Sequence, residues 1–414
     1  METFDHIIIG GGIVGLSIAY HLARNSPDSI LVLERNELAS AASSKAAGLI
    51  LQATTKPSKT PLVKLTRETI ALLEQELGEP VGFHDVGSLR IAASDARVKE
   101  LETIEHDASR HGIAFEHLSQ QDLHDKAPWL DASTANRITF FPTDGYVDPY
   151  LLSTAYGRAA RKGGVQIRTR TEVNDLIIES GRVTGVNSTS GNIFGGSVID
   201  AAGAWASIIS AHAGFPLPMA PTRSHYWITA PEIAYGGEFP VVLLPECQAY
   251  MRPEVGAMVV GVQEQHSATF DARRLPDDIN TFSPTQGEEH WDVIADAMEA
   301  ISVFFPAISQ ARFANYVSGL STYTPDGGIL LGPVPGPVPG AANFFAAAGC
   351  CGSGIALSAG IGSAISSIVR GDKPQFDITS FAPNRFGPVD PFSDEFQTRC
   401  AAARASKSHA ALAK

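Results

Sequence analysis

The chain opens on a short apolar run, Asp5-His-Ile-Ile-Ile-Gly10, that stops at a glycine cluster, as a buried parallel strand does. Gly10-Gly-Gly-Ile-Val-Gly15 follows, then a helix-forming stretch over 16–24, then a second apolar run over 29–34 that ends in an acid. The pattern predicts strand, glycine turn, helix, strand, acid. Leu62, Leu65, Ile70, Leu73 and Leu77 recur at helical spacing and predict a helix over 60–77. A strand is expected over 89–93 and a polar helix over 95–111, with Asp95 as its cap. Pro149, just after Asp148, opens a further helix through 161. Segments 165–170, 172–179 and 182–188 alternate like antiparallel strands, the last two joined at Ser180-Gly181. An apolar strand over 197–201 leads to a helix from Trp205. The middle of the chain changes character, with strands over 225–229, 249–252 and 257–262 and a helix over 287–305. Small residues return at the end as a strand over 343–348, a turn over 349–354 and a helix over 355–370.

The first turn carries chemistry. In Gly10-x-Gly12-x-x-Gly15, Gly10 permits the tight turn, Gly12 leaves room for a pyrophosphate, and Gly15 lets helix and strand pack closely. Glu34 closes the next strand and can accept both hydroxyls of an adenosine ribose. A carboxylate there disfavours a 2′-phosphate, although Arg35 beside it leaves that alternative open. Two further small-residue turns, Ile199-Asp-Ala-Ala-Gly-Ala-Trp205 and Gly349-Cys-Cys-Gly-Ser-Gly-Ile355, lie far downstream. Three dispersed turns on one nucleotide-binding core suit the long FAD better than NAD.

Composition narrows the partners. The 414 residues carry 31 Lys+Arg against 44 Asp+Glu, a formal net charge of −13, and no basic run, which argues against nucleic acid. Hydrophobic residues at 44% and charged residues at 18% fit a well-buried globular chain. Cys247, Cys350, Cys351 and Cys400 lack metal-site spacing, and the His residues form no ligand cluster, so no metal is expected. Few cysteines and an acidic start, METFDHIIIG, point to a cytoplasmic protein without a signal peptide. Segment 341–369 has no charged residue and is long enough to span a bilayer. Its Gly, Ala and Ser content predicts a strand, a turn and a packed helix instead, so no transmembrane segment is expected.

Over nearly its whole length the chain resembles the amine- and amino-acid-oxidising flavoenzymes of the D-amino-acid-oxidase superfamily. The resemblance rests on IIIGGGIVGLSIAYHLA, SAASSKAAGLI (40–50), TDGYVDPYLL (143–152), DAAGAWA (200–206), AYMRPEVGAMVVG (249–261), TPDGGILLGP (324–333) and AAAGCCGSGI (346–355), in that order. Segments 83–92 and 319–327 are most similar to the sarcosine and dimethylglycine dehydrogenase group. The folate-binding extension of dimethylglycine dehydrogenase has no counterpart in these 414 residues. The resemblance implies an α/β fold: a Rossmann-like, discontinuous FAD-binding domain over 1–80, 145–218 and 318–380, and a second α+β substrate domain on a mixed sheet over 81–144 and 219–317. Residues 381–414 are expected to be peripheral, with a frayed Ala-Lys tail.

It also implies that Gly10, Gly12, Gly15 and Glu34 hold the adenosine and pyrophosphate, while Ser43, Ser44, Lys45, Gly48 and Leu49 run beneath the ribityl chain and flavin. Val173 would face the adenine, and Ala202, Gly203 and Trp205 would close over the pyrophosphate. Gly352, Ser353, Gly354 and Ile355, at a helix start, would meet the flavin N1–O2 edge, where reduced flavin carries negative charge. Dimethylglycine-type enzymes attach flavin through a His where Lys45 stands, and monomeric sarcosine oxidase through a Cys where Gly319 stands, so non-covalent FAD is expected. Ser321 replaces the Arg with which glycine oxidase grips its substrate carboxylate. The lysine of oxygen activation has no counterpart near Val259, which leaves dioxygen and a carrier both open as electron acceptor. Homo- and hetero-oligomers stay open too.

The expected reaction is oxidation of a C–N bond in a small-molecule amine or amino acid. The favoured substrate is a secondary or tertiary N-alkyl amino acid or a cyclic imino acid. Hydride passes to flavin N5 and water hydrolyses the imine, a demethylation when the alkyl group is methyl. Arg252 is the candidate carboxylate clamp, Tyr250 and Tyr323 candidate pocket walls, and His225 and His84 candidate polar pocket groups. A primary amino-acid or opine oxidase, a flavin-binding subunit of a larger complex, and a 2-hydroxy-acid oxidoreductase are the alternatives.

Overall fold

The structure, a computed structural model, describes residues 1–232, 238–335 and 343–407. Among the described residues there are two eight-stranded sheets and one of three strands. The first sheet runs Val173–Glu179, Arg182–Ser188, Gly191–Asp200, Glu2–Ile9, Ile30–Leu33, Gln166–Arg168 in spatial order. Phe344–Ala348 joins it alongside Gly191–Asp200, and Leu330–Pro333 pairs beyond that. Glu2–Ile9 lies parallel to both Gly191–Asp200 and Ile30–Leu33. Every residue of Ile30–Leu33 is buried, which is why that run shows no alternation. The expectation for 165–170 fails: Gln166–Arg168 pairs parallel to Ile30–Leu33 at the edge of the nucleotide sheet. The next two strands are the expected hairpin, turning at Ser180 and Gly181 with φ of 50° and 77°.

Helices Ile13–Asn25, Thr60–Leu77, Pro149–Lys162 and Gly354–Val369 contribute to one core with Ile8, Ile30 and Val32 of the parallel strands. Gly360 lies against Leu62 and Gly362 against Ser17, so closely that a Cβ at either would overlap its neighbour. The Ser17 hydroxyl donates to the Ser358 carbonyl across the same contact, at 2.8 Å. Small residues in 341–369 therefore serve close helix packing. Ala341 and Ala342 fall outside the described residues, and among the described residues no helix is long and apolar enough to cross a membrane.

The second sheet runs Phe313–Tyr323, Ala220–Thr229, Ala257–Val262, Ala249–Glu254, Val241–Leu244, Ser88–Ala92, Arg137–Phe141, Glu116–His117. It is mixed, since Val241–Leu244 pairs parallel to Ser88–Ala92 among antiparallel neighbours. Phe313–Tyr323 passes without a break through residue 318, where the sequence suggested a domain boundary. The cap of helix Asp95–Arg110 is Ser94, whose hydroxyl accepts from Arg97 N–H, not Asp95.

Residues 381–407 are not peripheral. Helix Asp394–Ala405 places Phe396 and Cys400 in a buried cluster with Ala220, Tyr323 and Cys351. Just before it, Arg385 grips Asp326 with two bonds of 2.8 and 2.9 Å. Burial pushes Asp326 upward, but Arg385 and the Gly328 amide outweigh it and hold the carboxyl at about 2. The tail beyond Lys407, expected to fray, lies outside the described residues.

Candidate functional site

Two adjoining cavities open at the C-terminal ends of the parallel strands, where ligands of open α/β sheets bind. The outer one, about 130 Å³, is lined by Gly10, Gly12, Glu34 and Arg35 from the first βαβ unit and by Val173, Ala202, Gly203 and Trp205 from the later turns. Gly10 has φ of 109°, and a side chain there would run into the Ala201 carbonyl. Gly15 stands outside the lining; it is a packing glycine, set directly on the Gly10 carbonyl. Glu34 accepts from Gly11 N–H at 2.7 Å and from Asn36 N–H at 2.8 Å, so it also fixes the glycine turn. Arg35 stacks over the Trp205 ring at 4.3 Å.

Helix Ile13–Asn25 begins at Gly12, which has no side chain to cap it. Ser43 reaches in from another segment, its hydroxyl accepting from Ile13 N–H at 3.0 Å. Helix Gly354–Val369 likewise starts without a side-chain cap. Both starts border the cavities, so their unpaired N–H groups and dipoles favour anionic or electron-rich ligand atoms. A glycine turn, the Glu34 carboxylate and two helix starts bordering adjoining cavities fit a dinucleotide such as FAD.

The inner cavity is larger, about 380 Å³. Lys45 borders both cavities, and Gly48, Leu49, Gly352, Ser353, Gly354 and Ile355 line the inner one. Ser44 lines neither; its hydroxyl is spent on the Ser40 and Ala41 carbonyls. Lys45 lies against Gly319, its side-chain carbons 3.1 Å from where a Cβ would stand. Lys45 and Gly319, the two positions that the resemblance singles out for flavin attachment, are thus neighbours.

Tyr250, Tyr323 and His225 all face the inner cavity. The Tyr250 ring lies across Gly261 on the paired strand, in space any other residue's Cβ would need. Burial pushes Tyr323 up to about 12, so its hydroxyl stays protonated. Burial, with the charges of Arg404 and Arg223 nearby, holds His225 at about 3. His225 is therefore a neutral imidazole, its Nδ1 paired with the Tyr316 hydroxyl at 2.9 Å.

Arg252 is absent from the lining of either cavity. Its guanidinium donates to the Ala47 carbonyl at 2.7 Å and the Pro253 carbonyl at 2.8 Å, pairs with Glu254, and covers the Tyr146 ring. Its Nε and Nη1 are thus spent on structural partners. His84 is exposed and stacked on Tyr146. Arg223, another cation near the second sheet, is held by Glu264 and Glu289.

Sequence reasoning missed Arg404 and Lys407, which reach the inner cavity from the C-terminal helix and the turn after it. A signal was present: Phe396, Cys400 and Arg404 recur every four residues and so share one helix face. Also missed was Asp200, fully buried at the end of its strand, which burial pushes up to about 8 against the lowering bond from Ala202 N–H. Among the described residues no group of His, Cys, Asp and Glu could hold a metal ion.

Comparison with known proteins gives the family and the fold. The family profile described as DAO, FAD dependent oxidoreductase, matches residues 5–368. Mitochondrial dimethylglycine dehydrogenase of Rattus norvegicus is 31% identical over 397 residues, covering 93% of this chain and 45% of the relative. The 4-methylaminobutanoate oxidase (formaldehyde-forming) of Paenarthrobacter nicotinovorans is 30% identical, covering 92% of this chain and 45% of the relative. The chain thus spans about half the length of these curated relatives. The crystal structure of L-proline dehydrogenase from P. horikoshii superposes with a TM-score of 0.81 at 24% identity, covering 93% of this chain and 98% of that one, and so shares the fold.

Proposed function

The chain belongs to the DAO family of FAD-dependent oxidoreductases, and from that premise we propose that it oxidises the C–N bond of secondary or tertiary N-alkyl amino acids. The observation that carries this reading is the continuous path from Glu34 to a larger inner chamber walled by Tyr250 and Tyr323. Relatives named for dimethylglycine and 4-methylaminobutanoate support it, both compounds being N-methyl amines with a carboxylate. We take the FAD to be non-covalent, held by the residues of the two cavities, with the second mixed sheet closing the substrate side.

Bound FAD would accept the hydride, and with it the two electrons, that leaves the amine. The protein's own work is positioning. The uncapped start of helix Gly354–Val369 offers N–H groups and positive potential to charge arising on the ring. Tyr250 and Tyr323 restrict the amine to one approach and exclude water from the face they cover. His225, neutral, can hold a hydrogen bond without adding charge. A substrate nitrogen that is itself deprotonated gives the electron push, so no protein base is required at that step.

Anaerobic mixing with a panel of N-methyl amino acids, cyclic imino acids and primary amino acids tests the reading. Bleaching of the visible flavin band by the N-alkylated members supports it. Bleaching by primary amino acids alone favours the amino-acid oxidase alternative, and no bleaching by the purified chain favours a flavin-binding subunit.

A further inference from the structure

We infer that Arg404, reaching the inner cavity from the C-terminal helix, is the residue that anchors the carboxylate of the substrate. The inference rests on the reading of this site as one for carboxylated amines. It concerns a residue beyond the stretch 5–368 that the family profile matches. Helix Asp394–Ala405 seats Phe396 and Cys400 against Tyr323 and Cys351, and the same face carries Arg404 into the cavity wall. Lys407, one turn on, donates to the Gly352 carbonyl at 2.8 Å and ties the end of the helix to the flavin-side turn.

Arg404 is only 5% exposed, its Nε is buried without a partner, and no ion pair or hydrogen bond engages its guanidinium among the described residues. Most other cations around this cavity are occupied, and Lys45, which borders it beside Gly319, is a point charge without the planar fork. Lys56 and Lys59 donate to the Asp326 and Gly327 carbonyls, Arg90 to the Ala53 carbonyl, and Arg97 pairs with Glu100. A buried guanidinium without a counter-ion is unfavourable in an apolar setting, and a ligand carboxylate supplies what is missing. The planar fork matches a carboxylate in two parallel bonds. Tyr250, Tyr323 and His225 all lie within reach of the Arg404 charge, so a molecule held by Arg404 lies among the groups that wall the chamber.

The test uses the FAD-loaded full chain, with Arg404→Met, Arg404→Lys and wild type compared at matched FAD content. Perturbation of the flavin band by N,N-dimethylglycine under anaerobic conditions, and by acetate as an unreactive carboxylate, gives Kd. Wild type is expected to bind both. Arg404→Met should weaken both by about 100-fold, and Arg404→Lys should fall short of wild type because an ammonium lacks the fork. Independently of any variant, wild type should bind N,N-dimethylglycine far more tightly than its carboxamide. Kd values within twofold of wild type in Arg404→Met, or equal affinity for acid and amide, would overturn the inference. So would a changed flavin potential with unchanged carboxylate affinity, which would set Arg404 against the ring instead. The proposed function fails in a different way: carboxylates bind through Arg404, yet no amine bleaches the flavin.

Discussion

Glu34 binds two backbone N–H groups, at Gly11 and Asn36, and still has lone pairs for a ribose. Glu34→Ala should therefore lower FAD affinity roughly 10- to 100-fold, through lost ribose bonds and a looser turn. Ultrafiltration of holoprotein at graded dilution measures this, and unchanged retention would remove Glu34 from the adenosine site. Asp200 gives a pH signature. Its folded pKa of about 8 lies above the ordinary aspartate value of 3.8, so between those limits the unfolded chain has lost a proton that the native state keeps. This group's contribution to stability accordingly falls as pH rises from about 4 to 8. Asp200→Asn, never charged, should gain in Tm over wild type at pH 8 relative to pH 5; an equal difference at both would show that Asp200 does not titrate so. Residue by residue, the sequence was readable where a backbone need dictates the side chain, as at Gly10 with its φ of 109°. It misled at Arg252, because an arginine on a strand looks the same whether its fork is free or spent on the Ala47 and Pro253 carbonyls.

Helix Thr60–Leu77 and strand Ala257–Val262 appear with the bounds their patterns predict, because amphipathic spacing and apolar runs are local signals. Val241–Leu244 and Phe313–Tyr323 gave weak signals. One is four residues long, and the other mixes Ser, Gly and Asn on a strand whose pairing with Ala220–Thr229 is a long-range fact. Two glycines carry predictions at this scale. Gly360→Ala should cost about 1–3 kcal/mol in denaturant unfolding, since its methyl would overlap Leu62 where two helices touch. An unchanged midpoint would mean that this contact can relax. Gly261→Ala should displace the Tyr250 ring from the neighbouring strand and impair kcat/KM severalfold while FAD content stays normal. Full activity would show that Tyr250 does not shape the chamber.

At the scale of the whole molecule, sequence order hides how three distant turns, at 10–15, 200–205 and 349–355, meet along two adjoining cavities. Their shared small-residue character made the cofactor legible. The contribution of the last helix was not, because only the folded chain brings Cys400 beside Tyr323. With Lys45 against Gly319 and no flavin-attaching residue at either position, acid precipitation should leave the FAD in the supernatant; yellow pellets would contradict that. The central claim, oxidation of an N-alkyl amino acid at bound FAD, is tested most directly by an anaerobic single turnover with an N-methyl amino acid in which flavin reduction, formaldehyde and ammonia are all quantified. The account predicts one formaldehyde per flavin reduced and no ammonia. Flavin that stays oxidised with every N-methyl amino acid, while a primary amino acid bleaches it and releases ammonia, would contradict the account.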